Sequence, residues 1–332
     1  MQASWISAEQ LATLSNHSAQ VFISPLPAFQ VIRVSGADQR HYLQGQTTCD
    51  FLSLNEDTVL RGAHCDAKGK MWASFHAIAT DDETWLLGFR DEMQASLAQL
   101  KKFGVFSKVN FTDNPQGTAV FGISGDTVAP LLQQLGFHDQ GAAHQQVMTL
   151  PPLGTLKSPA HLLRISANHF MLLLDAADAS AFLHANQSVL AAPTQWLQQH
   201  IKLGLPYIEQ AIIGEYVPQQ LNMQALEAIS FTKGCYIGQE TVARMKYLGK
   251  NKRAMYLLQA NTSSTPSAGA GIDMQLDTHW RRAGQVINAV NIHDALWLLA
   301  VLPNDTTEHT ALRLSDEPET RCQIHPLPYS LN

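Results

Sequence analysis

The sequence predicts an α+β core followed by a separate C-terminal β-barrel, and three observations carry that expectation. The chain has 332 residues, too many for one ordinary hydrophobic core and suited to two or three domains. Before about residue 250, strand and helix patterns mix without strict βαβ alternation, as they do in α+β folds. Beyond Met245 helical periodicity stops, and short apolar segments separated by turn residues take over. The expected division is residues 1–240 for the core and 241–332 for the barrel.

The elements follow in order from local signals. Residues 29–34 read as the first strong strand, and Ser35-Gly36-Ala37-Asp38 turns into a helix over 39–45. Strands are expected over 58–63 and 71–79, joined by the turn Asp66-Ala67-Lys68-Gly69-Lys70, and again over 85–89. The clearest helix spans 91–103. Asp91 and Glu92 lie in its first turn, Lys101 and Lys102 in its last, and Gly104 follows, so charges and glycine suit the two ends of a helix dipole. Strands are expected over 105–111 and 119–124, then a helix through Val128, Leu131, Leu132 and Leu135. A hairpin over 162–174 and a helix over 177–190 come next. Thr194 is the expected N-cap of a helix carrying Trp196, Leu197, His200 and Ile201, which Gly204 and Pro206 end. The later strands fall at 254–260, 284–291, 296–302 and 322–325, with the Ser/Thr/Gly/Pro-rich stretch 262–271 as a loop.

Composition narrows the function classes. Apolar residues make up 45% and charged residues 15%, which is globular and not disordered. A net charge of -6 excludes a global pull on nucleic acid or anionic membrane. The start Met1-Gln2-Ala3-Ser4-Trp5 lacks the features of a signal peptide, and the longest apolar run, 295–302, falls short of the roughly 20 residues a bilayer requires. A cytoplasmic chain without membrane contact is expected. The cysteines, Cys49, Cys65, Cys235 and Cys322, form no C-x-x-C pair and read as free thiols. No G-x-G-x-x-G, no Walker loop and no H-E-x-x-H occurs. Gly122-Ile123-Ser124-Gly125 lacks the spacing of a nucleophile elbow. Cys322-Gln323-Ile324-His325 reads as strand packing and not as half a metal site.

One segment stands apart, Phe231-Thr232-Lys233-Gly234-Cys235-Tyr236-Ile237-Gly238-Gln239-Glu240-Thr241-Val242-Ala243-Arg244. Gly234 and Gly238 flank the cysteine and allow a tight turn or a close approach. A helix is expected to begin near Gln239. A thiol near a helix N-terminus, with Lys233 and Arg244 close in sequence, favours its thiolate. Cys235 is therefore a candidate nucleophile, redox thiol or transient ligand. The alternative is a small half-buried cysteine in a glycine turn. Lys233, Arg244, Lys246, Lys250, Lys252 and Arg253 also crowd this region, against the single acid Glu240. They could contact phosphates or a glutamate tail, or form a solvated cationic face.

The segment resembles the K-G-C-[aromatic]-x-G-Q-E signature of the YgfZ family. The resemblance extends to residues 42–48, to the hairpin 63–72, to 251–254 and to the tail 325–331, and so covers nearly the whole chain. It implies a fold similar to the aminomethyltransferase, or T-protein, of the glycine cleavage system: an α+β folate-binding core of two interleaved subdomains and a C-terminal barrel. It also implies a tetrahydrofolate-type ligand and ties to tRNA modification and to the upkeep of iron–sulfur tRNA-modifying enzymes. The family pattern puts the two aromatic positions that line the folate slot at Phe29 and Trp196, and makes Cys235 the functional thiol, supported by Lys233, Gly234, Gly238, Gln239, Glu240 and Arg244. The T-protein uses an aspartate after a glycine-rich turn, whereas residues 69–75 here carry no acid. Three functions are therefore weighed: a non-enzymatic folate-binding accessory factor, a folate-dependent one-carbon transferase or demethylase, and direct tRNA binding through 244–253.

Overall fold

The computed structural model describes residues 5–17, 20–80, 82–113, 117–138, 146–152, 154, 156–249 and 251–331. Two five-stranded antiparallel sheets build the core. In the first, the strand order is Val21–Pro25, Thr118–Gly125, His169–Asp175, Ala160–Ser166, Val147–Leu150. In the second it is Leu60–Cys65, Met71–Ala79, Glu83–Phe89, Phe29–Ser35, Asn110–Asp113. The chain leaves the first sheet after Pro25, completes the second, and returns at Thr118, so the two sheets are interleaved in sequence. The six strands Arg253–Asn261, Ala295–Pro303, His279–Ile292, Gly271–Leu276, Leu312–Leu314 and Arg321–His325 close into a barrel. Closure leaves no exposed strand edge. The α+β core and the barrel agree with the fold class read from the pattern.

One apolar cluster joins all three bodies. It runs from Val31 and Met71 of the second sheet through Val120 and Met171 of the first to Met255, Ile287 and Val301 of the barrel. The helix Pro193–Lys202 lies at this junction with Trp196 and Ile201 fully buried. The C-terminal tail returns to the same place. Tyr329 donates its hydroxyl to the carbonyl of Gly204 at 2.7 Å, and Leu327 packs against the cluster.

Some local expectations change. The strand expected over 105–111 is a 3-10 turn, Gly104–Phe106, and only Asn110–Asp113 is extended. Its alternation is that of an exposed corner, with Val105 and Phe106 facing solvent. Gly104 caps the preceding helix in a right-handed conformation because its missing side chain makes room for Phe111 and Val109. The helix expected over 177–190 is broken into Ala179–Ala185 and flanking 3-10 turns. Ala192, and not Thr194, is the N-cap of the helix Pro193–Lys202. Proline takes the first helical position, and the Thr194 hydroxyl donates to Asn16 instead. The helix from Gln239 continues two residues past Met245, to Tyr247. Cys322 is buried, and His325 packs against Trp297, so this pair is strand packing. Among the described residues no helix is long and apolar enough to cross a membrane.

Candidate functional site

Three distant sequence blocks, 42–48, 63–72 and 233–240, meet at one junction. Ile237 N–H donates to the carbonyl of Gly45 at 3.1 Å. Thr48 ties the first block to the second and to the segment that leads into the third, with its hydroxyl donating to the carbonyl of Ala228 and accepting from the N–H of Ala63. Gly238 is the N-cap of the helix Gln239–Tyr247 at φ +84°, and a β-carbon there would lie 2.5 Å from the carbonyl oxygen of Asp66. A β-carbon on Gly69 (φ +79°) would in turn lie 2.8 Å from Thr241. The hairpin turn and the helix start are thus pressed backbone to backbone. Asp66 completes the turn by accepting from the N–H groups of Lys68 and Lys70.

Cys235 sits on the outside of this junction and is exposed. The cations near it in sequence point elsewhere. Lys233 donates its ammonium to the carbonyls of Thr47 and Cys49 at 2.8 and 2.6 Å, and burial lowers its pKa to about 8. Arg244 pairs with Glu240 one turn back along its own helix. Gly234 is open around its α-carbon, whereas Tyr236 is buried beneath the loop. Gln239 donates its N–H to the carbonyl of Tyr236 in the first turn of the helix. Of the remaining basic run, Lys246 lies 3.6 Å over the ring of Phe231, Arg253 donates to the carbonyl of Ala283, and Lys252 is exposed. Lys250 lies outside the described residues.

The two aromatic positions come together, in different roles. Phe29 lines a small, largely buried cavity between the second sheet and the 205–208 segment, along with Leu87, Pro206, Tyr207, Met223 and Leu226. Its ring meets Trp196 edge-on at 5.7 Å. Trp196 stands behind it, fully buried, with its indole N–H on the carbonyl of Phe170 at 3.2 Å. Gly122 makes room for it, since a β-carbon there would lie 2.3 Å from the indole. The cavity has about 30 Å³ of free space, enough for one or two waters.

Polar groups also converge on this cavity, and the sequence reading did not assign them to it. Glu92 is buried, although the sequence reading gave it only the role of a charge matching the helix dipole. Its Oε2 accepts from the N–H and hydroxyl of Ser74 at 2.8 and 2.9 Å and from the N–H of Ile208 at 3.1 Å, while Oε1 accepts from Phe89. Burial pushes its carboxyl up to about 8 against the pull of those hydrogen bonds. The strand Met71–Ala79, which has no acid of its own, thus receives a carboxylate from the neighbouring helix. The third-residue position of Glu92 in that helix, where a side chain reaches back over the N-terminus, is the signal that could have exposed it. Arg61, His76 and His200 line the same space. Arg61 donates to the carbonyl of Ile165 and, through Nε, to Nε2 of His76 at 3.4 Å. Burial lowers His200 to about 3 and holds His76 and His169 well below the usual imidazole range.

A second, wider cleft shares none of the cavity's lining residues. It holds about 460 Å³ and is lined by polar groups including Ser124, His169, Gln195 and Gln199.

Comparison with known proteins adds three findings. The family described as "YgfZ, beta-barrel domain" matches residues 251–317. The chain is 38% identical over 311 residues to the "tRNA-modifying protein YgfZ" of Yersinia pseudotuberculosis serotype O:1b (strain IP 31758), covering 92% of each chain. It is 37% identical to the protein of the same name from Aliivibrio fischeri (strain ATCC 700601 / ES114), covering 93% of this chain and 95% of that one. The solved glycine cleavage system aminomethyltransferase T from Bartonella henselae superposes with a TM-score of 0.70 at 15% identity, covering 93% of this chain and 86% of that one. That likeness establishes the fold.

Proposed function

The chain belongs to the YgfZ family, and from that premise we propose that it is a folate-binding accessory factor serving tRNA modification, with Cys235 as its working thiol. The observation that carries the tRNA role is the identity of 38% sustained over 92% of both chains with a protein named for tRNA modification. The folate role is supported by the aminomethyltransferase-like fold and by the chemistry of the buried cavity. Phe29, Tyr207 and Pro206 supply flat apolar walls, and Glu92, Arg61 and His200 supply acceptors and a cation at the edges. That set fits a flat heteroaromatic ring bearing N–H donors. The present free space of about 30 Å³ is far below an ordinary ligand pocket of roughly 300 Å³ or more, so binding has to displace a wall. A bound reduced folate would supply one-carbon chemistry. The protein's part is to bind its ring, exclude water and hold its polar edge.

Cys235 lines neither cavity. Its exposed position suits contact with a partner protein, and iron–sulfur tRNA-modifying enzymes are the partners this reading names. A transferase reading would need Glu92 as its acid–base group. Four donors already hold that carboxylate, three of them on Oε2, which makes it a poor proton shuttle. For direct tRNA binding, Lys233 and Arg253 are spent on internal carbonyls, which leaves a thin basic strip.

Two measurements test the proposal. Titration of the pure protein with tetrahydrofolate and 5-formyltetrahydrofolate, followed by calorimetry, should saturate. Phe29→Leu should weaken binding by roughly tenfold, the order of one aromatic contact. Absence of binding at millimolar folate overturns the ligand. In cells lacking the family protein, Cys235→Ala and Cys235→Ser should accumulate as folded protein yet fail to restore tRNA methylthiolation. Full restoration by both removes the thiol from the function.

A further inference from the structure

His169 and His200 lie side by side against the indole of Trp196, with their centroids 5.3 Å apart, where the cleft and the buried cavity approach each other. Trp196 lies 4.2 Å from His169 at an interplanar angle of 17° and 4.7 Å from His200 at 22°. The indole, fixed by its own hydrogen bond to Phe170, holds both imidazole planes. Between the two imidazoles, Nε2 of His169 and Nδ1 of His200 are 3.1 Å apart. Nδ1 of His169 lies 3.2 Å from the hydroxyl of Ser124, and that hydroxyl donates to the carbonyl of Asn168 at 3.1 Å. Ser124 and His169 line the cleft, and His200 lines the cavity.

With the Ser124 hydroxyl on Asn168, these contacts imply one arrangement of protons. Ser124 has one proton and gives it to Asn168, so its oxygen is the acceptor for His169, whose proton is therefore on Nδ1. Nε2 of His169 must then accept, and His200 carries its proton on Nδ1. What remains is Nε2 of His200, a bare lone pair that meets no hydrogen-bond partner among the described residues. The other imidazole of the cavity does not compete, because Nε2 of His76 already accepts from Arg61.

We propose that His200 is the proton acceptor of the buried cavity, and that His169 and Ser124 form a relay that sets its tautomer and connects it to the wider cleft. The occupant of the cavity must present an N–H or O–H to Nε2. When that proton transfers, His200 passes its Nδ1 proton to Nε2 of His169, and His169 passes its own Nδ1 proton to the oxygen of Ser124. The original hydroxyl proton of Ser124 leaves to water in the cleft. One proton enters from the cavity, one departs to the cleft, and both rings end neutral. With Ser124 turned toward His169, the same chain presents an N–H to the cavity instead, so it can return a proton by the reverse route. His200 is the group that touches the occupant, while His169, Ser124 and Trp196 are positioning residues. The proposal deepens the folate reading by naming the proton chemistry of its cavity.

The tautomers are directly readable by two-bond ¹⁵N–¹H correlation on ¹⁵N-histidine-labelled full-length protein at pH 7. His169 and His200 should both show the neutral Nδ1–H pattern. Ser124→Ala removes the acceptor at the far end of the chain without touching His200, and it should move the His200 signal toward the Nε2–H pattern. Ser124→Thr, which keeps the hydroxyl, should restore the parent pattern. A purely packed histidine pair would leave His200 indifferent to residue 124. The proposal falls if His200 is protonated or Nε2–H in the parent, or if Ser124→Ala leaves its tautomer unmoved. Neither result depends on folate. If tetrahydrofolate does not bind but the tautomer results hold, the ligand reading fails and the relay stands.

Discussion

At Gly238 the backbone runs at φ +84°, and a methyl group there would collide with the carbonyl of Asp66. Gly234, four residues earlier in the same loop, has open space around its α-carbon. The two glycines of the signature thus do different work, which a stability series can separate. Gly238→Ala is expected to cost ~2–4 kcal/mol, from positive-φ strain plus displaced backbone, whereas Gly234→Ala should stay within ~0.5 kcal/mol. Urea unfolding of both variants checks the contrast, and equal losses would contradict the packing described. Lys233 illustrates the same point. Its place beside Cys235 in sequence suggested a partner for the thiol, while its ammonium in fact closes the 47–49 turn.

The elements around the cavity are held by asparagine side chains acting as peptide groups. Asn288 sits where the long barrel strand His279–Ile292 bulges, and its amide accepts from the N–H of Tyr207 at 3.0 Å and donates to its carbonyl at 2.9 Å. A bulge is suited to re-aiming a side chain in this way. Asn222 does the reverse, clamping Met255 of the first barrel strand through both its N–H and its carbonyl. Each amide ties core to barrel without a shared strand. Asn288→Ala leaves both polar groups of Tyr207 unpaired and should cost about 2–3 kcal/mol. Amide exchange should rise first at residues 205–208, the wall of the cavity, and unchanged protection there would show that other contacts hold that wall.

Across the whole molecule, buried titratable groups shape the dependence of stability on pH. Glu92 has its folded pKa raised to about 8, so its contribution is full at low pH and fades as pH rises through 8. His64 and His200 are lowered to about 3, and His76 and His169 are held well below the usual range, all chiefly by burial. The unfolded chain takes up those histidine protons as pH falls below about 6.5, so they remove stability there. From pH 8 to 6.5 the Glu92 effect dominates and stability should increase. Below 6.5 the histidines outnumber it and stability should fall. Each unbalanced proton is worth about 1.4 kcal/mol per pH unit. Thermal unfolding should therefore peak near pH 6.5. Glu92→Gln should flatten the alkaline limb and leave the acid limb in place. A parent curve that rises monotonically to pH 8 would mean that Glu92 is ionised throughout, held by its four hydrogen bonds.

The fold class was legible in the sequence because periodicity, turn residues and helix-end charges are local signals, and the signature segment was legible because glycines and a cysteine at fixed spacing are local chemistry. The family resemblance, and not spacing, brought Phe29 and Trp196 forward as a pair. That Phe29 faces the cavity while Trp196 braces two histidines behind it became visible only in the folded chain, since burial on each side of a ring has no trace in sequence spacing. The same holds for Glu92, Arg61, His169 and His200. Each comes from a different segment, and each looked like ordinary helix or strand composition until the two sheets and the barrel closed around them. A buried polar group needs partners, and those partners exist only once distant backbone has been brought within hydrogen-bond reach.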